Sequence, residues 1–201
     1  MRGHGETDRG AGGDHSSGSR AAARPAFPWL WLIPGLLVLV GLLLWGMVVY
    51  PHLPEKVPQH FGSDGVDRYA DKSVATVFVP VFVHAGALAL LAGTAYGTLR
   101  ITPLSELPPG RQVSSLVNRP KTAEGARRGA RAQLFLGFCL GLTLAVACTV
   151  MWSTAPQKQG EQPTVTLVLA LLPVALGTLA VVVTALRDRA HDPGRARPTA
   201  G

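Results

Sequence analysis

Charge is what this chain of 201 residues has least of. Asp, Glu, Lys and Arg make up 15% of it, where a soluble domain carries about a quarter. Four stretches hold none: Pro25–Pro54, Ser73–Leu99, Ala132–Pro156 and Gln162–Leu186. An apolar run of about 20 residues is what a helix needs to cross a hydrocarbon core about 30 Å thick. The gaps exclude an ordinary soluble domain. They predict an all-α membrane protein, a bundle of four transmembrane helices at about 28–50, 73–99, 132–153 and 165–186. The first run is too long for the apolar part of a secretory signal, and no small-x-small site follows Tyr50, so it reads as an uncleaved anchor.

Cysteine is scarce as well. Cys139 and Cys148 both fall in the third helix. Nine residues turn a helix by about 900°, so the two point to opposite sides and do not pair. They read as small apolar side chains at helix contacts. Carboxylates are missing from all four spans. His84 therefore stands as the one ionisable intramembrane residue, about 16 Å into the second helix and near the midplane. It suits either proton relay or ligand binding, or a structural imidazole bonded to a carbonyl or Thr hydroxyl of a neighbouring helix.

What charge there is sits unevenly. Fifteen of the nineteen Lys and Arg lie in the tail before Pro28, in the loop between the second and third helices, and in the final tail. Basic residues mark the cytoplasmic side. Both termini are thus expected in the cytoplasm, with loops 51–72 and 154–164 outside. The net charge of +7 reflects this distribution and not a nucleic-acid surface. Arg119, Lys121, Arg127, Arg128 and Arg131 precede the third helix. They are expected to face anionic lipid, at about 1 kcal/mol each, with a cytosolic regulator as the alternative partner. Trp29, Trp31, Trp45, Tyr50 and Trp152 read as aromatic anchors at the helix ends. Residues 1–26 and 188–201 bury too little to fold and are expected to be disordered tails. The sequence from Thr122 is compatible with extending the third helix beyond the membrane.

Small residues recur every four positions in two helices: Ala85, Ala89, Gly93, Gly97 and Gly137, Gly141, Ala145, Thr149. Such stripes let backbones approach closely. They predict that helices two and three pack through them; the alternative is that each stripe meets another helix or a second subunit.

The densest polar segment is the outer loop. Pro51, Pro54 and Pro58 favour an extended, polyproline-like path. Gly62 and Ser63-Asp64-Gly65 mark a turn. An ordered Pro/Gly-rich cap is expected, with Phe61 and Tyr69 tucked against helix ends. His52, Glu55, His60, Asp64, Asp67 and Asp71 offer metal donors, but their spacing is neither H-E-x-x-H nor an EF-hand loop. No nucleophile or oxyanion site is marked. No metal, no cofactor and no enzyme activity are expected, and a loop metalloenzyme ranks last. The local charges Glu55, Lys56, Asp67, Arg68, Asp71 and Lys72 suit pairing with one another.

Tyr50-Pro51, then Leu53-Pro54-Glu55-x-Val57-Pro58-x-His60-Phe61-Gly62-x-x-Gly65-x-Asp67 and Lys72, resembles the bacterial membrane family catalogued as domain of unknown function 1648. The resemblance covers about Pro34 to Pro80. That domain also forms the amino-terminal part of SdpI-type proteins, associated with immunity to a secreted toxic peptide and with signalling. The resemblance implies a small bacterial membrane protein with this loop outside. It points to Pro54, Glu55, Pro58, His60, Phe61, Gly65, Asp67 and Lys72 as the binding surface. The resulting expectation is a binding, sensing or immunity-type protein that meets an extracytoplasmic peptide or envelope partner, as a monomer or an oligomer. A small transporter using His84 is the alternative.

Overall fold

Among the described residues, each charge-free run folds chiefly as helix. The computed structural model describes residues 25–62, 65–108, 110, 119–152 and 163–190. Helix α1 spans Trp29–Val49. The second run is divided into α2, Val74–Val77, and α3, Val79–Arg100. Helix α4 is Ala123–Met151 and α5 is Pro163–Ala190. Four of these, α1, α3, α4 and α5, are long and apolar enough to cross a membrane. The protein is a multi-pass membrane protein.

The single helix expected over 73–99 is corrected at Phe78, where α2 stops. Proline lacks an N–H and crowds the carbonyl four residues back. Restarting the helix at Val79 puts Pro80 in its first turn, where no N–H is needed. Helix α4 begins at Ala123, well before 132, because Thr122 caps it: its Oγ1 accepts from Gly125 N–H at 2.9 Å. Residues 188–190 continue α5 and do not belong to a tail. The rest of both expected tails, at 1–24 and 191–201, lies outside the described residues, as does 153–162 in the second outer loop.

The polyproline-like path is also corrected. Lys56–Gly62 (β1) and Gly65–Asp71 (β2) form an antiparallel hairpin, so the fold is not purely helical. Register runs from Lys56 opposite Asp71 to Gly62 opposite Gly65. It shifts around His60, leaving Gln59 on one strand and Asp67 on the other out of the pairing. Such bulges bend and twist a strand. A two-stranded sheet leaves one edge of each strand unpaired, and Pro58 is tolerated there without loss of a ladder bond.

Helix α4 is the hub. It packs against α1, α3 and α5, whereas α5 leans chiefly on α4. The expected four-helix bundle is thus three helices with a fourth laid on one side. Along α4 the small stripe does its expected job. A Cβ on Gly137 would lie 2.9 Å from Leu88 Cδ1, and one on Gly141 would lie 2.5 Å from His84 Cε1. The stripe of α3 does not face α4: a Cβ on Gly93 or Gly97 would meet open space. Helix α3 offers α4 a different face instead, with His84, Leu88, Ala95 and Leu99 buried. Cys139 lies against Gly177 of α5, while Cys148 joins the cluster around Val57 and Trp152 on another side of α4. Both thiols are free and buried.

Candidate functional site

The polar segment becomes a platform because its foot is apolar. Leu53 and Val57 are buried among Leu42, Val77, Phe78, Val81, Met151 and Trp152. Burying a side chain of this size contributes about 1.5–3 kcal/mol relative to leaving it in water. Polar ties complete the seat. Lys72 N–H donates to Glu55 carbonyl at 2.6 Å, closing the base of the hairpin. Lys72 Nζ donates to Leu53 carbonyl at 2.9 Å and stands over the Tyr50 ring, 5.5 Å from its centre. Gln59 reaches from its bulge to Thr76 carbonyl at 3.4 Å. Ser73 and Thr76 cap α2 reciprocally, each side chain bonding the other's backbone N–H. Thr76 Oγ1 also donates to Asp71 carbonyl at 2.9 Å.

Trp152 holds the platform from beneath. It is 3% exposed, and its indole N–H donates to Val77 carbonyl at 3.1 Å. Helix α2 ends at Val77, so this bond satisfies an end carbonyl with no helical partner. The ring meets Trp45 edge-on at 4.9 Å and Phe78 at 6.1 Å. Gly46 leaves the space, since a Cβ there would lie 2.8 Å from Phe78 and 2.9 Å from Trp152. Trp152 is therefore a buried strut and not the interface anchor expected from its place at a helix end. Trp29 and Trp31, by contrast, are exposed.

The structure divides the expected binding residues. Pro54 and Glu55 are exposed at the foot of the hairpin, and Pro58 is half-buried. Lys72 is a structural tie, so the expected pairing of local charges gives way there to backbone and ring contacts. His60, Phe61, Gly65 and Asp67 take places in the strands, with Asp67 at the register shift; their side chains lie outside the described residues. Tyr69, expected to tuck against a helix end, instead sits opposite Pro58 and is 56% exposed. An aromatic at the solvated position of a polar strand was the available signal of that exposure. Lys56 and Asp71, opposite one another and on the same face as Tyr69, are exposed, as is Arg68, so the hairpin presents both charge signs beside one ring. Among the described residues no three His, Cys, Asp or Glu side chains gather as a metal site would require.

His84 is fully buried between α3 and α4. Its Nε2 lies 3.3 Å from Gly137 carbonyl. A carbonyl oxygen only accepts, so Nε2 carries the hydrogen of that bond. Nδ1 has no hydrogen-bond partner among the described residues.

The opposite, basic end is braced by backbone. Asp188 of α5 accepts from Lys121 N–H at 2.9 Å, and Gly125 leaves room for that carboxylate, which a Cβ would strike. Lys121 Nζ donates to Arg189 carbonyl and Arg119 to Thr102 carbonyl. These two of the five expected lipid-facing cations are half-buried and hold the loop in place. Arg127, Arg128 and Arg131 remain exposed on α4.

Residues 36–83 match the family model described as domain of unknown function (DUF1648). The match takes in most of α1, the hairpin, α2 and the start of α3. The strut Trp152 and the Gly137–Gly141 stretch that receives His84 lie outside it. No curated protein and no solved structure matches the chain.

Proposed function

We infer that the protein is a membrane receptor-type module whose hairpin recognises an extracytoplasmic peptide or envelope component. The observation that supports this most is the anchoring of the DUF1648 hairpin: a buried foot and the contacts of Lys72, Gln59 and Thr76 hold a mixed-charge surface that includes Tyr69. Preorganised surfaces lose less entropy on binding. The basic count favours cytoplasmic termini and an outward hairpin. Immunity or signalling is the output class suggested by the SdpI resemblance, with a cytosolic regulator at the basic end. No enzyme activity is assigned.

The test is a photoreactive residue at Tyr69 or Glu55 in intact cells, followed by mass spectrometry. One dominant adduct is expected, lost on Arg68→Glu. Adducts spread over abundant envelope proteins and indifferent to that change would refute the reading.

A second reading, transport, draws on His84, fully buried with Nδ1 lacking a partner among the described residues. Proton or solute flux in reconstituted vesicles, abolished by His84→Ala, is its expected sign. Flux indifferent to the substitution removes it.

A further inference from the structure

Because α5 leans on α4, a cleft opens between α1 and α5 with α4 as its floor. It holds about 400 Å³, within the range of small-molecule sites, about 300–1,000 Å³. Trp31 of α1, Arg128, Arg131 and Phe135 of α4, and Ala180 and Thr184 of α5 line it. Its depth in the membrane follows from length. Helix α4 has 29 residues and so is about 43 Å long, against a hydrocarbon core of about 30 Å. Some two turns stand clear of the core. The charge-free part begins at Ala132, so Arg128 and Arg131 lie where α4 leaves the hydrocarbon, and Phe135 lies one turn deeper.

The cleft therefore has an apolar interior and a cationic mouth. Arg131 has no ion pair among the described residues, and Arg128 has one exposed contact, 3.7 Å from Glu124. Two guanidinium-bearing residues three apart on α4, both at one mouth, suit a phosphate, which takes paired N–H donors. An apolar wall immediately below the phosphate suits a fatty chain. A soluble anion would use only the mouth, and a neutral lipid only the wall. We propose that the cleft binds one anionic phospholipid, its phosphate on Arg128 and Arg131 and one acyl chain over Phe135 between α1 and α5. This is a site on the protein and not a general attraction of the basic end to the bilayer.

The test uses the full chain in phosphatidylcholine nanodiscs, titrated with phosphatidylglycerol carrying brominated acyl chains. Bromine quenches nearby indoles, and subtracting the Trp31→Phe signal isolates Trp31. Brominated phosphatidylglycerol is expected to quench Trp31 at a severalfold lower mole fraction than brominated phosphatidylcholine. Arg128→Gln with Arg131→Gln should move the titration toward the phosphatidylcholine value, by about fivefold per arginine. Arg127→Gln with Arg187→Gln removes as much charge outside the cleft and should leave it unmoved. Ala180→Phe fills the cleft at constant charge and should weaken quenching. Equal quenching by the two lipids in the wild type overturns the proposal whatever the variants do. Equal losses for the two glutamine pairs, or no effect of Ala180→Phe, also overturn it.

Discussion

The two ends of the molecule are built on different plans. At the hairpin end, one buried cluster joins α1, β1, α2, α3 and α4, and Trp152 closes it with both a ring and a hydrogen bond. At the basic end the buried cluster is made mostly of alanine and leucine: Ala95, Leu99, Ala126, Ala130 and Leu134. Small side chains there let α3 and α4 approach, while the polar ties are single contacts to backbone. The first plan fixes a surface in one shape. The second holds helices close yet leaves an open cleft beside them. Dense packing lies at the hairpin end, and room lies beside α4 at the basic end.

Substitutions test this contrast in descending order of effect. Trp152→Ala removes the strut and should destabilise by about 3–5 kcal/mol, read from unfolding in mixed detergent. Limited proteolysis should then cut within 56–71 while α5 stays intact; an unchanged hairpin would mean that the strut is dispensable. Next comes the pair of stripes. Gly141→Leu drives a side chain into His84 and should destabilise by about 1–3 kcal/mol. Gly93→Leu enters open space and should change stability by less than about 0.5 kcal/mol. Equal effects would show that the outer stripe of α3 is covered by a second subunit. Ser73→Ala breaks the cap of α2 and should remove about 1 kcal/mol, seen as a lower thermal midpoint with hairpin cleavage increased. Smallest is Glu124→Gln at the basic end, which breaks an exposed i, i+4 pair screened by solvent. A change below about 0.5 kcal/mol is expected, and a larger one would place a hidden ordering role at that end.

Much of this architecture could be read from residues alone. The spans were legible because a charge in hydrocarbon is penalised wherever it falls, so its absence marks the helix regardless of neighbours. That the chain reverses between Gly62 and Gly65 was legible because glycine is a local signal. The hairpin was not. Pro58 and the bulges at Gln59 and Asp67 spoil the alternation of period two by which a strand is recognised. The stripes show the limit of spacing as evidence: it defines a face but not what the face meets. Helix α3 carries two such faces, and α4 took the one with His84 and Leu88. Trp152 was ambiguous for a similar reason, since an aromatic at a helix end suits a headgroup anchor and a buried strut equally. Of the residues expected to bind, Glu55 is exposed, whereas Lys72 belongs to the scaffold.

The bond between Asp188 and Lys121 has a consequence for how the chain is made. Its two residues are 67 apart in sequence, and the ribosome emits the acceptor long after the donor. Until α5 enters the bilayer, the start of α4 has its own cap at Thr122 and its packing against α3, but not the bond to Asp188. Insertion of the final span thus completes the seam at the basic end, and a nascent chain arrested before Asp188 is expected to leave the entrance of α4 unfinished.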